Sequence, residues 1–437
     1  MGGQYLLSSA SSFMSYEHVS KAINWNSTDT KSQEGHFSLI HIPLSLYQPL
    51  LQPILRVLLP QGNPPPPNLV DDPESLLDHL SLDNRHSFLN ISVTPIECSV
   101  VCSTALAKDV FDSVLSGLPK EEAKKVQISK DTYIVFSVSS AGMEAGQRVM
   151  DLTAPLAMAG IPIFFITTYY TDFILVPSKD RHTVGQALLA RGFEFSETDS
   201  AYVTPTDVSH SRGPSASSEP PSTPPPSNVA ELQLRTFSLL KKRNVVPFVE
   251  PGLHLVQCSG KEVVHSHDEN GYGSRQNPSA GHESNGSHSH SHSNSYSHSR
   301  CHSQNYWLDS IDSKLYVGLI SALVLQPRFL SVTLAQDDAP SLLVDKSLLW
   351  LFGNSIAGDT EGDLVPIFLD LVDVPLESTG IVCGVAGKLV DDMRLMDPEG
   401  LSRATELSYL STARAGAVIL SSESADRALK ALQPIVP

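Results

Sequence analysis

Phe164-Phe165-Ile166-Thr167-Thr168-Tyr169-Tyr170-Thr171-Asp172-Phe173-Ile174-Leu175-Val176 is the stretch on which the reading of the chain turns. It sits in the longest apolar-looking run, Leu156 to Val176, but Thr167 to Asp172 break that run with hydroxyls and a charge. A membrane helix needs about 20 predominantly apolar residues in succession. The pattern instead predicts two strands around a polar turn. Upstream, Glu144 to Met158 puts Val149, Leu152 and Leu156 on one helical face, and Tyr133 to Val138 reads as a strand. Downstream, Arg181 to Ala190 has helical spacing.

Strand, helix, hairpin, helix is the order of a ferredoxin-like split βαβ unit, whose helices cover one face of an antiparallel sheet. The same grammar precedes it: strand Phe37 to Ile42, helical Leu44 to Leu59, strands Ser87 to Val93 and Cys98 to Cys102, and a helix around Ala105 to Leu115. It returns twice in the second half. Leu253 to Gln257, Leu308 to Leu325, Phe329 to Thr333 and Ser341 to Val344 form one set. Pro366 to Val372, Thr379 to Leu395, Leu407 to Ser411, Ala417 to Leu420 and Ala425 to Leu432 form the other. Thr167-Thr168 with Phe173-Ile174-Leu175-Val176 aligns without gaps on Ser411-Thr412 with Ala417-Val418-Ile419-Leu420. The separation is a constant 244 residues, Asp172 falling on Gly416. A match through hairpin and helix together favours duplication. The expected fold class is α+β, four tandem βαββαβ units in two halves.

The boundaries that follow are a disordered 1–35, a first unit at 36–129, a second at 130–203, a linker at 204–228, a third unit at 229–364 and a fourth at 365–437. The linker holds seven Pro and seven Ser in 25 positions, too polar to bury. The third unit carries a His/Ser/Gly/Asn insertion at 260–305 with half of the sixteen histidines. Imidazoles can chelate transition metals, but nothing here fixes a geometry, so no metal site and no cofactor is expected. Only 41% of the 437 residues are hydrophobic, and net charge is −17. With Lys241-Lys242-Arg243 as the longest basic run, no face would neutralise phosphates, and nucleic acid is not an expected partner. Five scattered cysteines fit a reduced, cytoplasmic setting. No signal peptide opens the chain, and no membrane association is expected. Phosphate-loop, nucleophile-elbow and zinc-protease motifs are absent from the sequence, and the pairs Asp71-Asp72 and Asp391-Asp392 do not share a face. The chain therefore reads as a non-enzyme.

Ala154-Pro155-Leu156-Ala157, six residues, then Phe164 to Val176 closely resembles the second ACT unit of the CASTOR family of cytosolic arginine sensors. Thr379-Gly380-Ile381-Val382 through Ala386-Gly387-Lys388-Leu389 resembles the start of that family's fourth unit, and Tyr409-Leu410-Ser411-Thr412 its following strand. The resemblance covers about 37–195 and, with interruptions, 307–433. It implies an amino-acid pocket between the second and fourth units, a protein partner upstream of TOR, and possible homodimers. Related ACT units in aspartate kinases suggest an alternative, regulation in trans of a biosynthetic enzyme. A second alternative is a constitutive interaction scaffold.

Ser378-Thr379-Gly380-Ile381-Val382 opens a helix, with Ser378 or Thr379 expected as N-cap. The first N–H groups of a helix lack intrahelical partners and can hold a carboxylate, and Gly380 would let a ligand approach. By family correspondence Pro162 and Ile163 form the opposite wall, and Thr412, Ala413, Arg414 and Gly416 come from the last hairpin. The family's acidic reader of the cationic ligand falls on Gly416, and its aromatic neighbour on Ala413. A guanidinium without that carboxylate forgoes roughly 1.5–3 kcal/mol, which tells against arginine. Glu377 could substitute for the acid, or Arg414 could favour an acidic or neutral ligand. Asp172, the equivalent acid of the second unit, reads as a turn residue.

Overall fold

The structure, a computed structural model, describes residues 21–25, 35–59, 87–139, 145–195, 226–261, 312–335, 338–396 and 407–433. The Asn63 to Asn68 proline run, Asp71-Asp72, most of the linker and nearly all of the His-rich insertion lie outside them.

A strand β1 (Lys21–Trp25) precedes the first unit. That unit comprises β2 (Phe37–Pro43), α1 (Leu51–Leu58), β3 (Phe88–Val93), β4 (Glu97–Ser103), a helical run over 104–117 and β5 (Gln127–Ile128). Ser103 starts the helical run by accepting a bond from the Leu106 N–H. The second unit comprises β6 (Tyr133–Ser139), α2 (Ala145–Met158), β7 (Phe164–Thr167), β8 (Asp172–Pro177), α3 (Arg181–Leu189) and β9 (Phe193–Phe195). Then come α4 (Val229–Lys242) and β10 (Phe248–Val249). The third unit has β11 (Leu255–Gly260), α5 (Ser313–Val324), β12 (Leu330–Ala335), β13 (Ser341–Asp345) and β14 (Ile356–Ala357). The fourth has β15 (Leu364–Asp370), α6 (Ile381–Met396), β16 (Ser408–Ser411), β17 (Ala415–Ser421) and α7 (Ser422–Leu432).

Pairing unites the first and third units in one sheet, β5-β2-β4-β3-β12-β13-β11-β14. The second and fourth form another, β9-β1-β6-β8-β7-β16-β17-β15-β10. Single bridges, Phe37 with Tyr133 and Leu255 with Leu364, join the two sheets at their ends into a closed barrel. The fold is thus α+β, built of tandem ferredoxin-like units.

Strand alternation sorts the apolar residues into three layers. Tyr133, Val135, Phe173 and Leu175 of the second unit, with Ala417 and Ile419 of the fourth, meet Phe37, Leu39, Phe88, Val101 and Leu255 of the other sheet in a central layer. The alternate residues Ile134, Phe136, Ile174, Val176, Val418 and Leu420 pack instead on the helices. The first and third units bury a corresponding helix-side layer around Ile40, Ile91, Val100 and Leu319.

Two assignments shift. The N-terminal segment expected to be disordered contains β1, which lies between β6 and β9, antiparallel to the first and parallel to the second. Two alternating apolar residues, Ile23 and Trp25, with Val138 and Phe136 as register partners, suffice for a strand once an edge is offered. Residues 229–249, assigned by sequence to the third unit, work with the fourth. β10 pairs with β15, and Leu232 and Thr236 of α4 press on Gly380 and Gly384 of α6. Asn228 caps α4 through the Glu231 N–H while Glu231 reaches back to Ser227, a capping box that starts the helix immediately after the proline-rich linker.

Phe173, buried at 1% exposure, stacks at 5.0 Å on Phe88 of the opposite sheet. Phe173→Ala is expected to lower the unfolding free energy by about 3–5 kcal/mol, read as a shifted urea midpoint.

Candidate functional site

The two seams between units are built differently. β3 and β12 pair over six residues, Val93 with Leu330 through Phe88 with Ala335. β7 and β16 share one backbone bridge, Ile166 with Leu410. Beside it, side-chain oxygens replace carbonyls: the Phe165 N–H donates to Ser411 Oγ at 2.9 Å and the Tyr409 N–H to Thr167 Oγ1 at 3.0 Å. The strands stand apart by a side chain, and a hollow opens on the helix side of this seam.

The hollow measures about 580 Å³ with its mouth included. Thr153 and Ala157 of α2, Ile163 and Phe164 line it from the second unit. Leu371 to Leu376, Ser378, Gly380 to Cys383, Tyr409, Ser411 to Ala413, Ala415 and Gly416 line it from the fourth, Asp373 excepted along with Val372. Among the described residues of its wall none is charged.

The start of α6 forms one side. The first intrahelical bond runs from the Gly384 N–H to Gly380 O at 2.7 Å, so Gly380, not Ser378 or Thr379, is the N-cap. The Ile381, Val382 and Cys383 N–H groups follow it in the turn whose donors have no intrahelical acceptor. Gly380 adopts φ +83°, which L side chains rarely tolerate. A Cβ there would also come within 2.7 Å of Leu232. The glycine therefore serves the helix turn and the packing of α4, a different reason from ligand approach. Burial pushes the Cys383 thiol up to about 11, with a bond to Thr153 pulling it the other way, so it lines the hollow as a neutral thiol.

Tyr409 also lines the hollow. It is 1% exposed, and its hydroxyl has no hydrogen-bond partner among the described residues. Burial also raises its pKa, keeping it protonated. The hydroxyl lies 2.7 Å from where a Cβ on Gly416 would stand. Gly416 is thus required by Tyr409, and the position that family correspondence gives to an acid is filled from across the hairpin by a phenol.

The tip of that hairpin is held by the first unit. Glu97, fully buried, accepts from the Thr412 hydroxyl and the Arg414 N–H, both at 2.5 Å, and its other oxygen lies 2.5 Å from His41 Nδ1. Ser99 Oγ accepts from the Ala413 N–H at 3.1 Å. The equivalent tip of the second unit docks on the third: the Tyr169 N–H donates to Ser341 Oγ at 2.8 Å, and Tyr170 Oη meets Ser259 Oγ at 3.1 Å.

Of the sequence candidates, Ile163, Ser378, Gly380, Val382, Thr412, Ala413 and Gly416 come together around the hollow. Pro162, Glu377, Thr379 and Arg414 are not on its wall. Glu377 is exposed, and the Arg414 guanidinium bonds Gln127 Oε1 and Val374 O instead. Tyr409 and Ser411 enter the sequence reading only as strand residues. Their alternation, both on the helix face of β16, was the available signal. Asp172, expected at a turn, begins β8, is 2% exposed and pairs with Arg148 of α2. Burial raises its pKa against the pull of that guanidinium. No group of three or more His, Cys, Asp or Glu among the described residues could hold a metal ion, and no described helix is long and apolar enough to cross a membrane.

Residues 128–190 match the ACT domain, an amino-acid-binding regulatory module. The matched span runs from the end of β5 through α3, the core of the second unit. No curated protein matches the chain. Among solved structures it is similar to aspartate kinase from Synechocystis (9% identity, TM-score 0.28, covering 95% of this chain and 56% of that one). It is similar to the regulatory subunit of aspartate kinase from Thermus thermophilus (13% identity, TM-score 0.19, 38% and 99%). A protein from Agrobacterium tumefaciens solved by structural genomics is also similar (17% identity, TM-score 0.24, 40% and 92%).

Removing one partner of a buried, fully bonded carboxylate leaves others unpaired. Glu97→Ala is expected to cost about 3–5 kcal/mol in denaturant unfolding at neutral pH, because Thr412, Arg414 and His41 all lose their acceptor. Gly380→Ala, strained at φ +83° and against Leu232, is expected to cost roughly 1–3 kcal/mol in the same assay.

Proposed function

We propose that the chain is an amino-acid-responsive regulator, not an enzyme, and that its ligand binds in the hollow between the second and fourth units. Binding would stabilise one setting of the β7–β16 seam and so alter the surface seen by a partner protein. The observation that supports this reading is a hollow whose wall includes both a helix N-terminus and Tyr409, whose buried hydroxyl has no hydrogen-bond partner among the described residues. The first offers partial positive charge and free donors to a carboxylate. The second is a polar group whose burial costs free energy until something bonds to it.

Regulation needs a difference in ligand affinity between two settings. The seam is suited to this, because one bridge and two side-chain bonds hold it where the other seam has a six-residue ladder. The hairpin tip at 412–415 touches the hollow on one side and Glu97 of the first unit on the other. A shift at the site thereby reaches the second sheet. The CASTOR resemblance points to a partner upstream of TOR, and the aspartate kinase relatives to a biosynthetic enzyme in trans. Sheet pairings that ACT units make side by side are made here within one chain, first unit with third and second with fourth. A homodimer would use other surfaces.

The competing reading is a constitutive scaffold with a degenerate pocket. It is favoured by the absence of any charged side chain on the described wall. A thermal-shift series of the full chain against the twenty amino acids separates the two. At about a hundredfold excess over Kd a ligand adds about 2.7 kcal/mol, a rise of roughly 3 °C for a chain of this size. At least one amino acid is expected to give such a rise. A flat response to all twenty at millimolar concentration supports the scaffold.

A further inference from the structure

We infer that the hollow takes a small α-amino acid whose uncharged side chain ends in a hydrogen-bonding atom, serine or threonine in size, read by the Tyr409 hydroxyl. This rests on the proposal that the hollow is an amino-acid site.

Three observations converge on that class. The first is charge. Every described wall residue is neutral, Glu377 and Arg414 face elsewhere, and the thiol of Cys383 is kept protonated. An ammonium, guanidinium or carboxylate at the end of a ligand side chain would be desolvated with nothing to pair it. The α-carboxylate is provided for by the donors at Ile381 to Cys383, and the α-ammonium stays at the open mouth in contact with water.

The second is size. The wall is lined closely by side chains from both units, which suits a short ligand side chain better than a long one. Leu371, Val374 and Ile163 close the remaining space.

The third is the unmet bond. Tyr409 Oη is buried, protonated and unpartnered, against Gly416. Ser411 Oγ, two residues along the same face of β16, accepts from the Phe165 N–H and keeps its own hydrogen to give. A ligand hydroxyl can accept from one and donate to the other. Alanine, equal in charge and smaller, leaves the phenol as it was.

The test is calorimetric titration of the full chain with L-serine, L-threonine, L-alanine, L-arginine and L-glutamate, repeated on Tyr409→Phe. L-serine or L-threonine is expected to bind roughly tenfold more tightly than L-alanine, and arginine and glutamate more weakly still. Tyr409→Phe should lose about that tenfold for the hydroxylated ligand and leave L-alanine unchanged. Its urea midpoint without ligand should match or exceed the wild type, because an unsatisfied buried hydroxyl has been removed. Arginine or glutamate binding tightest overturns this inference and leaves the amino-acid site standing, as does serine binding Tyr409→Phe at full affinity. None of the twenty amino acids binding the wild-type chain overturns both. The selectivity series on the wild type decides the matter even if the variant fails to fold.

Discussion

A carboxylate taken out of water must find donors for its oxygens or it unfolds what buried it. Glu97 opens β4 with no exposure, and its donors come from separate parts of the chain: His41 on the neighbouring strand, and Thr412 and Arg414 at the tip of the last hairpin. That hairpin carries Ala413, Ala415 and Gly416 into the wall of the hollow and faces Gly416 with Tyr409. The position of the hairpin wall of the hollow in the fourth unit is therefore fixed from the first unit, more than 300 residues earlier in the chain.

The duplication makes the departure from symmetry informative. Asp172 and Gly416 are equivalent, each the first helix-facing residue of the third strand in its unit. In the second unit the acid is buried and answered by Arg148 from the protein's own helix, so that position is closed by an internal ion pair. In the fourth unit the position is Gly416, and a phenol with no hydrogen-bond partner among the described residues lies beside it. Each side of the seam keeps one buried polar atom without a hydrogen-bond partner among the described residues, Asp172 Oδ1 beside its ion pair and the Tyr409 hydroxyl with none.

The four-unit plan was legible because alternation in Phe173 to Val176 and Ala417 to Leu420, helical spacing in Val149 to Leu156, and the 244-residue offset are all local patterns. The start of α6 was legible to within a residue or two, its cap being Gly380 and not Ser378 or Thr379, whereas the hairpin wall comes from the family resemblance and not from any local pattern. What escaped were features decided by contacts distant in sequence. Glu97 beside Cys98 has no local mark of burial. Gly380 looks like an opening for a ligand until Leu232 is seen beside it. Arg414 and Glu377 are charges in the right segment, and only the backbone shows that they face elsewhere. Strand β1 depends on an edge between β6 and β9 that no local pattern announces.

Amide hydrogen exchange on the full chain, with and without millimolar L-serine or L-threonine, tests the central claim most directly. The N–H groups of Ile381, Val382 and Cys383 have no helical acceptor, so a carboxylate bound there would slow their exchange along with that of the 412–416 hairpin. Protection confined to those two segments is the predicted result. Unchanged exchange there in the presence of an amino acid that demonstrably binds the chain would contradict it, and would put the ligand elsewhere.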